Sequence, residues 1–226
     1  MSLAIKLTDV DVHFALQRGS ARHEALRGLS LEVAKGERLG LVGRNGAGKS
    51  TLLRIMAGIY PPAAGSVWRA PELSVALLSL GLGFKPELTG RENALLAAIL
   101  QGMSKGEAKR RLEAIGDFTE LGKYYDEPVK SYSSGMRSRL GFATGLLLET
   151  DILLLDEILS VGDRAFRQKA SEALMDKLAG NRTVILVHHL ERAISTLCTR
   201  AVWLEQGQIR KSGDVALVLE AYQAGA

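Results

Sequence analysis

The sequence predicts an α/β fold built on a largely parallel β-sheet. The segments "DILLLDE" (residues 151–157) and "RTVILVHH" (182–189) contain continuous apolar runs, which are typical of strands buried on both faces. Segments with helical apolar spacing alternate with these runs, as in parallel α/β sheets. A more charged helical stretch from about residue 86 to 149 interrupts the alternation and predicts an inserted helical subdomain.

The amino-terminal part begins with strands. Residues 4–14 alternate in character, as in an edge or half-buried strand. "LSLEVAKGERLGLVG" (29–43) predicts a strand, a Lys-Gly turn and a buried strand that enters a glycine-rich loop. Residues 49–57 have helical spacing, and Gly58 followed by two prolines ends that helix.

The carboxyl-terminal part continues the alternation. "AFRQKASEALMDKLA" (165–179) predicts an amphipathic helix between the two buried strands. "AVWLEQGQIRKSG" (201–213) predicts a hairpin that turns at Gln206-Gly207, and residues 215–223 predict a short final helix. We therefore expect one domain over residues 1–226, with a core at about 1–85 and 150–226.

Composition excludes several classes of protein. A chain of 226 residues that is 46% hydrophobic can bury a core of its own. The single cysteine, Cys198, excludes an internal disulfide and fits a reducing compartment. No apolar run approaches the ~18 residues of a membrane span, and the first residues lack the apolar segment of a signal peptide. The formal net charge of +4 does not distinguish between nucleotide, nucleic-acid and membrane partners. The basic cluster at 109–111 is interpreted as a solvated helix face.

"GRNGAGKS" (43–50), between the predicted buried strand and the first predicted helix, satisfies the pattern G-x-x-x-x-G-K-[ST]. Its glycines let successive backbone N–H groups turn toward phosphate oxygens, and the following helix adds its positive dipole end. We expect Lys49 to neutralise the β- and γ-phosphates and the Ser50 hydroxyl to ligate Mg²⁺. The predicted phosphate-binding residues are Gly43, Arg44, Asn45, Gly46, Ala47, Gly48, Lys49, Ser50 and Thr51.

The nucleotide is predicted to be ATP. A dinucleotide-binding loop requires G-x-G-x-x-G, and these glycines have a different spacing. The guanine-selecting N-K-x-D type of motif does not occur in the sequence. A chance glycine-rich turn with a solvated lysine is the alternative, and the strand–loop–helix context disfavours it.

Two acids end the apolar run at 152–155. Open α/β sheets bind ligands at the carboxyl ends of their strands, where Asp156 and Glu157 lie. Adjacent strand residues point in opposite directions, so the two acids should differ in role. Asp156 is predicted to hold Mg²⁺, and Glu157 to act as general base on the attacking water. The alternative is that the strand ends at the protein surface and that the two acids are merely solvated.

Two further candidates stay open on pattern alone. His189 ends a predicted strand, from which a side chain can reach a γ-phosphate, but its neighbour His188 makes the choice ambiguous. Phe14 lies on the first predicted strand. Its place in the alternating pattern is equally consistent with stacking on adenine and with packing in the core.

A second small-residue segment precedes a long helix. Ser133, Ser134, Gly135 and Met136 lie at this helix start, and N–H groups at a helix N-terminus form an anion site. A single chain has no obvious use for a second anion site besides the phosphate loop.

The order of phosphate loop, Ser-x-Gly helix start, Asp-Glu strand and strand-end histidine resembles the ATPase domain of ABC proteins, over almost the whole chain. The resemblance implies a P-loop NTPase fold with an amino-terminal antiparallel β part. It also implies a head-to-tail homodimer in which Ser133–Met136 of one copy closes over ATP held by the other. Under this resemblance His189 is the switch histidine, Phe14 the adenine-stacking residue, and residues 160–163 the loop between protomers.

"YSSGM" (132–136), "PELTGREN" (86–93) and "DEILSVGDRAFRQK" (156–169) resemble one branch of the family, the ATPases of bacterial cell-surface polysaccharide exporters. That branch implies a separate membrane permease, docked through the helical subdomain and the loop around Gly81 and Gly83. It implies a peripheral position on the cytoplasmic face of the inner membrane, a lipid-linked glycan as indirect cargo, and no nucleic-acid partner. Other transport cargoes, or a non-transport ABC ATPase, are the alternatives.

One feature departs from the family pattern. Most ABC ATPases carry a metal-contacting glutamine on the loop between core and helical subdomain, but residues 51–100 contain no glutamine. The loop reads "LLSLGLGFKPEL" (77–88). This departure concerns metal coordination and coupling through the loop, not the residues predicted for hydrolysis.

Overall fold

The computed structural model describes residues 2–15, 22–78, 83–100, 103–147, 150–156, 163–178, 180, 182–187 and 191–225. The chain forms two compact units. The first comprises Met1–Leu73, Asp151–Asp156 and Asn181–Ala226, and the second comprises Ser74–Thr150 and Glu157–Gly180.

The described strands are β1 (Leu3–Ala15), β2 (Arg22–Ala34), β3 (Arg38–Val42), β4 (Ala64–Arg69), β5 (Val75–Leu78), β6 (Ile152–Asp156), β7 (Thr183–Val187), β8 (Arg200–Glu205) and β9 (Gln208–Gly213). The described α-helices are α1 (Lys49–Met56), α2 (Gly90–Leu100), α3 (Lys105–Thr119), α4 (Ser134–Leu147), α5 (Arg164–Leu178), α6 (Glu191–Leu197) and α7 (Val215–Gly225). Two short 3-10 helices, Gly122–Asp126 and Val129–Ser131, precede α4.

A mostly parallel sheet forms the centre of the first unit. Its strands follow the order β6-β7-β3-β8-β9. The pairs β6–β7, β7–β3 and β3–β8 are parallel, and only β9 runs antiparallel to its neighbour β8. The first four residues of β6 and all five of β7 are buried, as their continuous apolar sequences predict. The predicted parallel α/β core is confirmed.

A separate antiparallel sheet forms the amino-terminal part of the same unit, in the order β2-β1-β4. β1 and β2 are each 13 residues long, and their inward side chains, such as Ile5, Val10 and Val33, are fully buried. The antiparallel part implied by the family resemblance is therefore present.

Three short elements lie outside the sequence prediction, namely β4, β5 and α6. β4 is a largely exposed strand whose first three residues, "AGS", favour no strand by propensity. Gly65, at φ +80°, permits the close approach to β1, because a Cβ atom there would overlap the Thr8 and Asp9 carbonyl groups. Tertiary pairing with β1 therefore creates this strand.

The second unit contains α2, α3, α4 and α5 around apolar clusters. Fully buried members of one cluster include Ala94 on α2, Ile115 on α3 and Leu140 on α4. The rings of Phe118, Phe142 and Phe166 meet with centroids 5.9–6.2 Å apart and join α3, α4 and α5. The structure thus groups α5 with the helices at 90–147.

The "PELTGREN" segment folds as a tight entry to α2. Thr89 and Glu92 exchange backbone-to-side-chain hydrogen bonds of 2.9 and 3.1 Å, which is a capping box. Asn93 is 2% exposed, and its amide accepts from the Lys85 N–H and donates to the Lys85, Leu88 and Thr89 carbonyls. This one side chain fixes the backbone of residues 85–89.

Within the described part of the chain, no helix combines the length and apolar character needed to cross a bilayer.

Replacing Asn93 by Ala is expected to lower the free energy of unfolding by about 2–3 kcal/mol, because several partly buried backbone groups lose their partner. Urea-induced unfolding followed by circular dichroism measures this change. The control is Gln168→Ala, which removes one exposed hydrogen bond to Glu172 and should cost less than ~0.5 kcal/mol. Equal losses in the two variants would contradict the role given to Asn93.

Candidate functional site

The register of the parallel sheet brings the predicted site residues of the first unit to one edge. Leu41 of β3 lies opposite Val187 of β7, and Val187 lies opposite Asp156 of β6. Asp156 is therefore two strand spacings, about 10 Å, from the strand that enters the phosphate loop. Its side chain is half-buried. In the sequence Glu157 comes directly after β6 and His189 two residues after β7, and both lie outside the described residues.

The phosphate loop depends on residues that lack a Cβ atom. Gly43, Gly46 and Gly48 adopt φ values of +153°, +81° and +104°. A Cβ at Gly43 would overlap the Leu204 carbonyl oxygen, and a Cβ at Gly48 would collide with the Ala25 carbonyl oxygen. Gly46 has open space around it, so only its backbone conformation requires glycine. Two glycines thus serve packing as well as conformation.

The loop is anchored to the turn between β8 and β9. The Gly207 N–H donates to the Ala47 carbonyl at 3.0 Å, and the Arg27 N–H donates to the Gly207 carbonyl at 3.0 Å. Gly207, at φ +77°, lies too close to the Ala25 carbonyl for a side chain. The sequence predicted this turn but not its contact with the loop, because the two segments are about 160 residues apart.

The N-terminus of α1 faces the loop without a side-chain cap. Gly48 is the N-cap residue and offers no capping oxygen, and the first turn contains no acidic residue. The Lys49 ammonium donates to the Gly43 and Arg44 carbonyls at 2.6 and 3.0 Å, which holds the cation at the loop. Arg44, Asn45 and Gly46 are exposed. Uncapped N–H groups beside a cation suit an anionic ligand, so this loop fits the phosphates of ATP.

A divalent cation would find few protein ligands in this unit. No group of three or more His, Cys, Asp or Glu side chains able to hold a metal occurs among the described residues. Mg²⁺ commonly takes one or two protein oxygens and completes its shell with water and phosphate oxygens. The half-buried Ser50 hydroxyl and the Asp156 carboxylate fit that requirement. The residues present therefore suit Mg²⁺ bound together with a nucleotide.

Phe14 is not a core residue. Its side chain is 38% exposed, and its ring meets the ring of Tyr60 edge-on with centroids 5.8 Å apart. Gly48 contacts Leu26 on β2, and Leu26 pairs with Val12, two residues from Phe14. The exposed ring therefore lies on the strand next to the loop region, and adenine stacking stays a prediction for it.

The Ser133–Met136 segment belongs to the second unit. The Ser133 hydroxyl oxygen accepts from the Met136 N–H at 3.2 Å and caps α4. Ser133 and Ser134 are exposed, and Gly135 and Met136 are half-buried. The helix start is thus preformed, with its small residues open to solvent.

The final residue of the predicted inter-protomer loop is also tied to α4. The Asp163 carboxylate accepts from the Phe166 N–H at 3.0 Å and from the Arg139 guanidinium at 2.5 Å. The hydrogen bond from the Phe166 N–H lowers the pKa of the Asp163 carboxyl, and Arg139 lowers it further. Arg139 also lies 4.8 Å from the Phe166 ring centroid. Residues 160–162 and Gly81 lie outside the described residues, whereas Gly83 adopts φ +92°.

Comparison with known proteins gives consistent results. The sequence model of the family described as ABC transporter matches residues 26–160. The O-antigen export system ATP-binding protein RfbB of Myxococcus xanthus is 43% identical over 199 residues, which are 88% of this chain and 45% of that protein. The protein of the same name from Klebsiella pneumoniae is 41% identical over 210 residues, 93% of this chain and 85% of that one. The chain thus spans less than half the length of the first relative.

The fold is shared with solved structures. One, described as the dimeric post-hydrolysis state of an ATP-binding cassette bound to ADP and Pi, superposes with a TM-score of 0.77 at 23% identity. The superposition covers 93% of this chain and 98% of that chain. The predicted P-loop NTPase fold of ABC ATPases is confirmed, and so is the resemblance to the polysaccharide-export branch.

The loop glycines differ in what they tolerate. Gly46→Ala should lower the free energy of unfolding by about 1–2 kcal/mol, the cost of a left-handed backbone for an L-residue. Gly43→Ala should cost more, because its Cβ also overlaps the Leu204 carbonyl. Urea unfolding of both variants tests this order.

Gly106→Ala is the control for this comparison. Gly106 lies in α3, and a Cβ atom there would meet only the Arg110 guanidinium at 4.0 Å, so alanine should stabilise the protein by up to ~1 kcal/mol. Equal losses for Gly43→Ala and Gly46→Ala would contradict the packing role of Gly43.

Proposed function

The chain belongs to the ABC transporter family of ATPases, and from that premise we propose that it drives a separate membrane permease that exports a lipid-linked polysaccharide. It does so by binding and hydrolysing ATP as a head-to-tail homodimer. The observation that carries the proposal is the uncapped N-terminus of α1 behind a glycine loop, with Lys49 held at the same loop. The two named relatives, both O-antigen export ATP-binding proteins, support the cargo class.

The phosphate loop binds and orients the triphosphate. The first turn of α1 has no side-chain cap, so its N–H groups and those of the loop donate to phosphate oxygens in this proposal. Lys49 neutralises charge on the β- and γ-phosphates. Ser50 and Asp156 hold Mg²⁺, which when bound offsets the negative charge of the phosphates. Phe14 supplies an exposed ring for adenine.

The hydrolytic step uses residues that follow the strand ends. Glu157 comes directly after Asp156 and accepts a proton from the attacking water as general base. His189 follows Val187, the register partner of Asp156, by two residues. From that position it donates a hydrogen bond to the γ-phosphate and orients the water. The support is that the sequence runs into these two residues from the carboxyl ends of β6 and β7, the end of a parallel sheet at which ligands bind.

The second anion site serves a second copy. Ser133 and Ser134 are exposed at the start of α4, next to the half-buried Gly135. The Ser133 hydroxyl caps one N–H group, and the positive dipole end of the helix favours an anion beside it. In the proposed dimer, this segment closes over the γ-phosphate held by the partner's phosphate loop. ATP therefore joins the two copies, and hydrolysis releases them, which transmits movement to the permease.

The remaining partner proposals follow from the branch of the family. The permease docks on the helical subdomain and the loop near Gly83, which places the ATPase peripherally on the cytoplasmic face of the inner membrane. The lipid-linked glycan is an indirect partner, and no nucleic acid is bound. An ABC ATPase for another cargo is the second candidate, because cargo contacts lie in the permease.

The variant Glu157→Gln should retain ATP binding and lose nearly all turnover, because the amide cannot accept the proton from water. With hydrolysis blocked, the ATP-bound dimer should accumulate. Light scattering after size exclusion, with and without saturating ATP, measures this. A monomer at saturating nucleotide would contradict the shared-site mechanism.

Lys49→Ala should weaken ATP binding at least tenfold, because a cation at the phosphates is lost. Isothermal titration measures the affinity. Lys211→Ala, which removes an exposed lysine from β9, is the matched control and should bind ATP normally. Unchanged affinity in the Lys49 variant would contradict its phosphate role.

A further inference from the structure

The turn between α2 and α3 exposes apolar side chains that the proposed function does not use. Ile99 is 40% exposed and Leu100 is 77% exposed, the highest fraction among the large apolar side chains of the described residues. We call Ile99, Leu100 and residues 103–110 the hairpin tip. Contact of aliphatic side chains with water is unfavourable, so covering these side chains with a partner would be favourable.

The hairpin tip is held firmly by the second unit. The Met103 N–H donates to the Ala98 carbonyl at 3.1 Å and closes the turn. Ala98 and Ala108 are fully buried, and Met103 packs against the same cluster. Ser104 and Glu107 form a capping box that fixes the start of α3. The outward direction of Ile99 and Leu100 is therefore set by the fold.

Basic residues lie in the helix that follows these apolar side chains along the chain. Lys105, Lys109 and Arg110 are exposed in the first half of α3, where the helix dipole favours acids instead. The one acid of the first turn, Glu107, accepts from the Ser104 hydroxyl and N–H, which lowers the pKa of its carboxyl. Neither Lys105 nor Lys109 forms an ion pair with any residue that the structure describes. Arg110, by contrast, interacts electrostatically with the Glu107 carboxylate.

The third member of the basic cluster at 109–111 has a structural role. Arg111 is half-buried and donates to the Leu147 carbonyl at the end of α4 at 3.1 Å. The interpretation of residues 109–111 as one solvated face is thus wrong for Arg111. The basic residues of this region that are exposed are therefore Lys105, Lys109 and Arg110.

We propose that the hairpin tip contacts an anionic lipid bilayer, with Leu100 and Ile99 in the interface and the three basic side chains on the headgroups. Aliphatic residues flanked by Lys and Arg are typical of surfaces that lie on a membrane. Lysine is depleted in protein–protein interfaces, which favours lipid over a protein partner here. The lysine stems can lie along the apolar surface while their ammonium groups reach phosphate. This contact adds to the proposed permease docking and does not depend on cargo.

Sedimentation with sucrose-loaded vesicles tests the proposal on the full chain. We expect stronger binding to phosphatidylcholine vesicles with 30 mol% phosphatidylglycerol than to phosphatidylcholine alone, and weaker binding as NaCl rises. The triple variant Lys105→Gln/Lys109→Gln/Arg110→Gln should partition roughly 100-fold less, since each basic residue contributes about fivefold. Leu100→Ser should also bind less, while keeping the salt dependence of the unchanged chain.

The matched control is Lys123→Gln/Lys130→Gln/Lys211→Gln. It removes three exposed positive charges elsewhere and lowers the formal net charge from +4 to +1, as the test variant does. An equal loss in the control, or no preference for anionic vesicles, would overturn the proposal. Unchanged vesicle binding by the test variant, with loss of permease-stimulated turnover, would assign the tip to a protein partner instead. ATP affinity should be unchanged in every variant, so this test fails or succeeds independently of the nucleotide site.

Discussion

The backbone of the phosphate loop turns through left-handed conformations at three positions, and the rest of the site depends on this path. Because Gly43 and Gly48 approach the carbonyls of Leu204 and Ala25, the loop packs directly on β8 and β2. This packing fixes the direction of α1 and therefore where its N–H groups point. Gly207 completes the arrangement by donating to the Ala47 carbonyl. A side chain at any of the close approaches would move the helix away from the ligand it is proposed to bind.

The helix N-termini of this chain differ in how far side chains cap their N–H groups. α3 begins with a full capping box between Ser104 and Glu107, so its end is satisfied within the protein. α1 begins at a glycine without a capping side chain. α4 lies between these cases, because Ser133 caps one N–H while Ser134 remains exposed beside it. The less a helix end is satisfied internally, the better it suits an anionic ligand.

The second unit connects the Ser133–Met136 segment to other functional segments through packing and charge. Arg139, on the helix that begins at Ser134, donates to Asp163 and lies on the Phe166 ring. The same unit carries the hairpin tip, joined to α4 through the cluster that contains Ala98, Ala108 and Leu140. Movement of α4 would therefore be accompanied by movement of both segments.

The sequence by itself determined the elements with strong local signals. These are the glycine loop with its strand and helix, the buried strands β6 and β7, and the hairpin at Gln206-Gly207, since their periodicity and turn residues require no distant partner. The tertiary structure alone decided β4, which forms only by pairing with β1, and the contact of Gly207 with the loop. It also decided that Phe14 is exposed and that Arg111 caps α4, because burial and long-range hydrogen bonds depend on which segments the fold brings together.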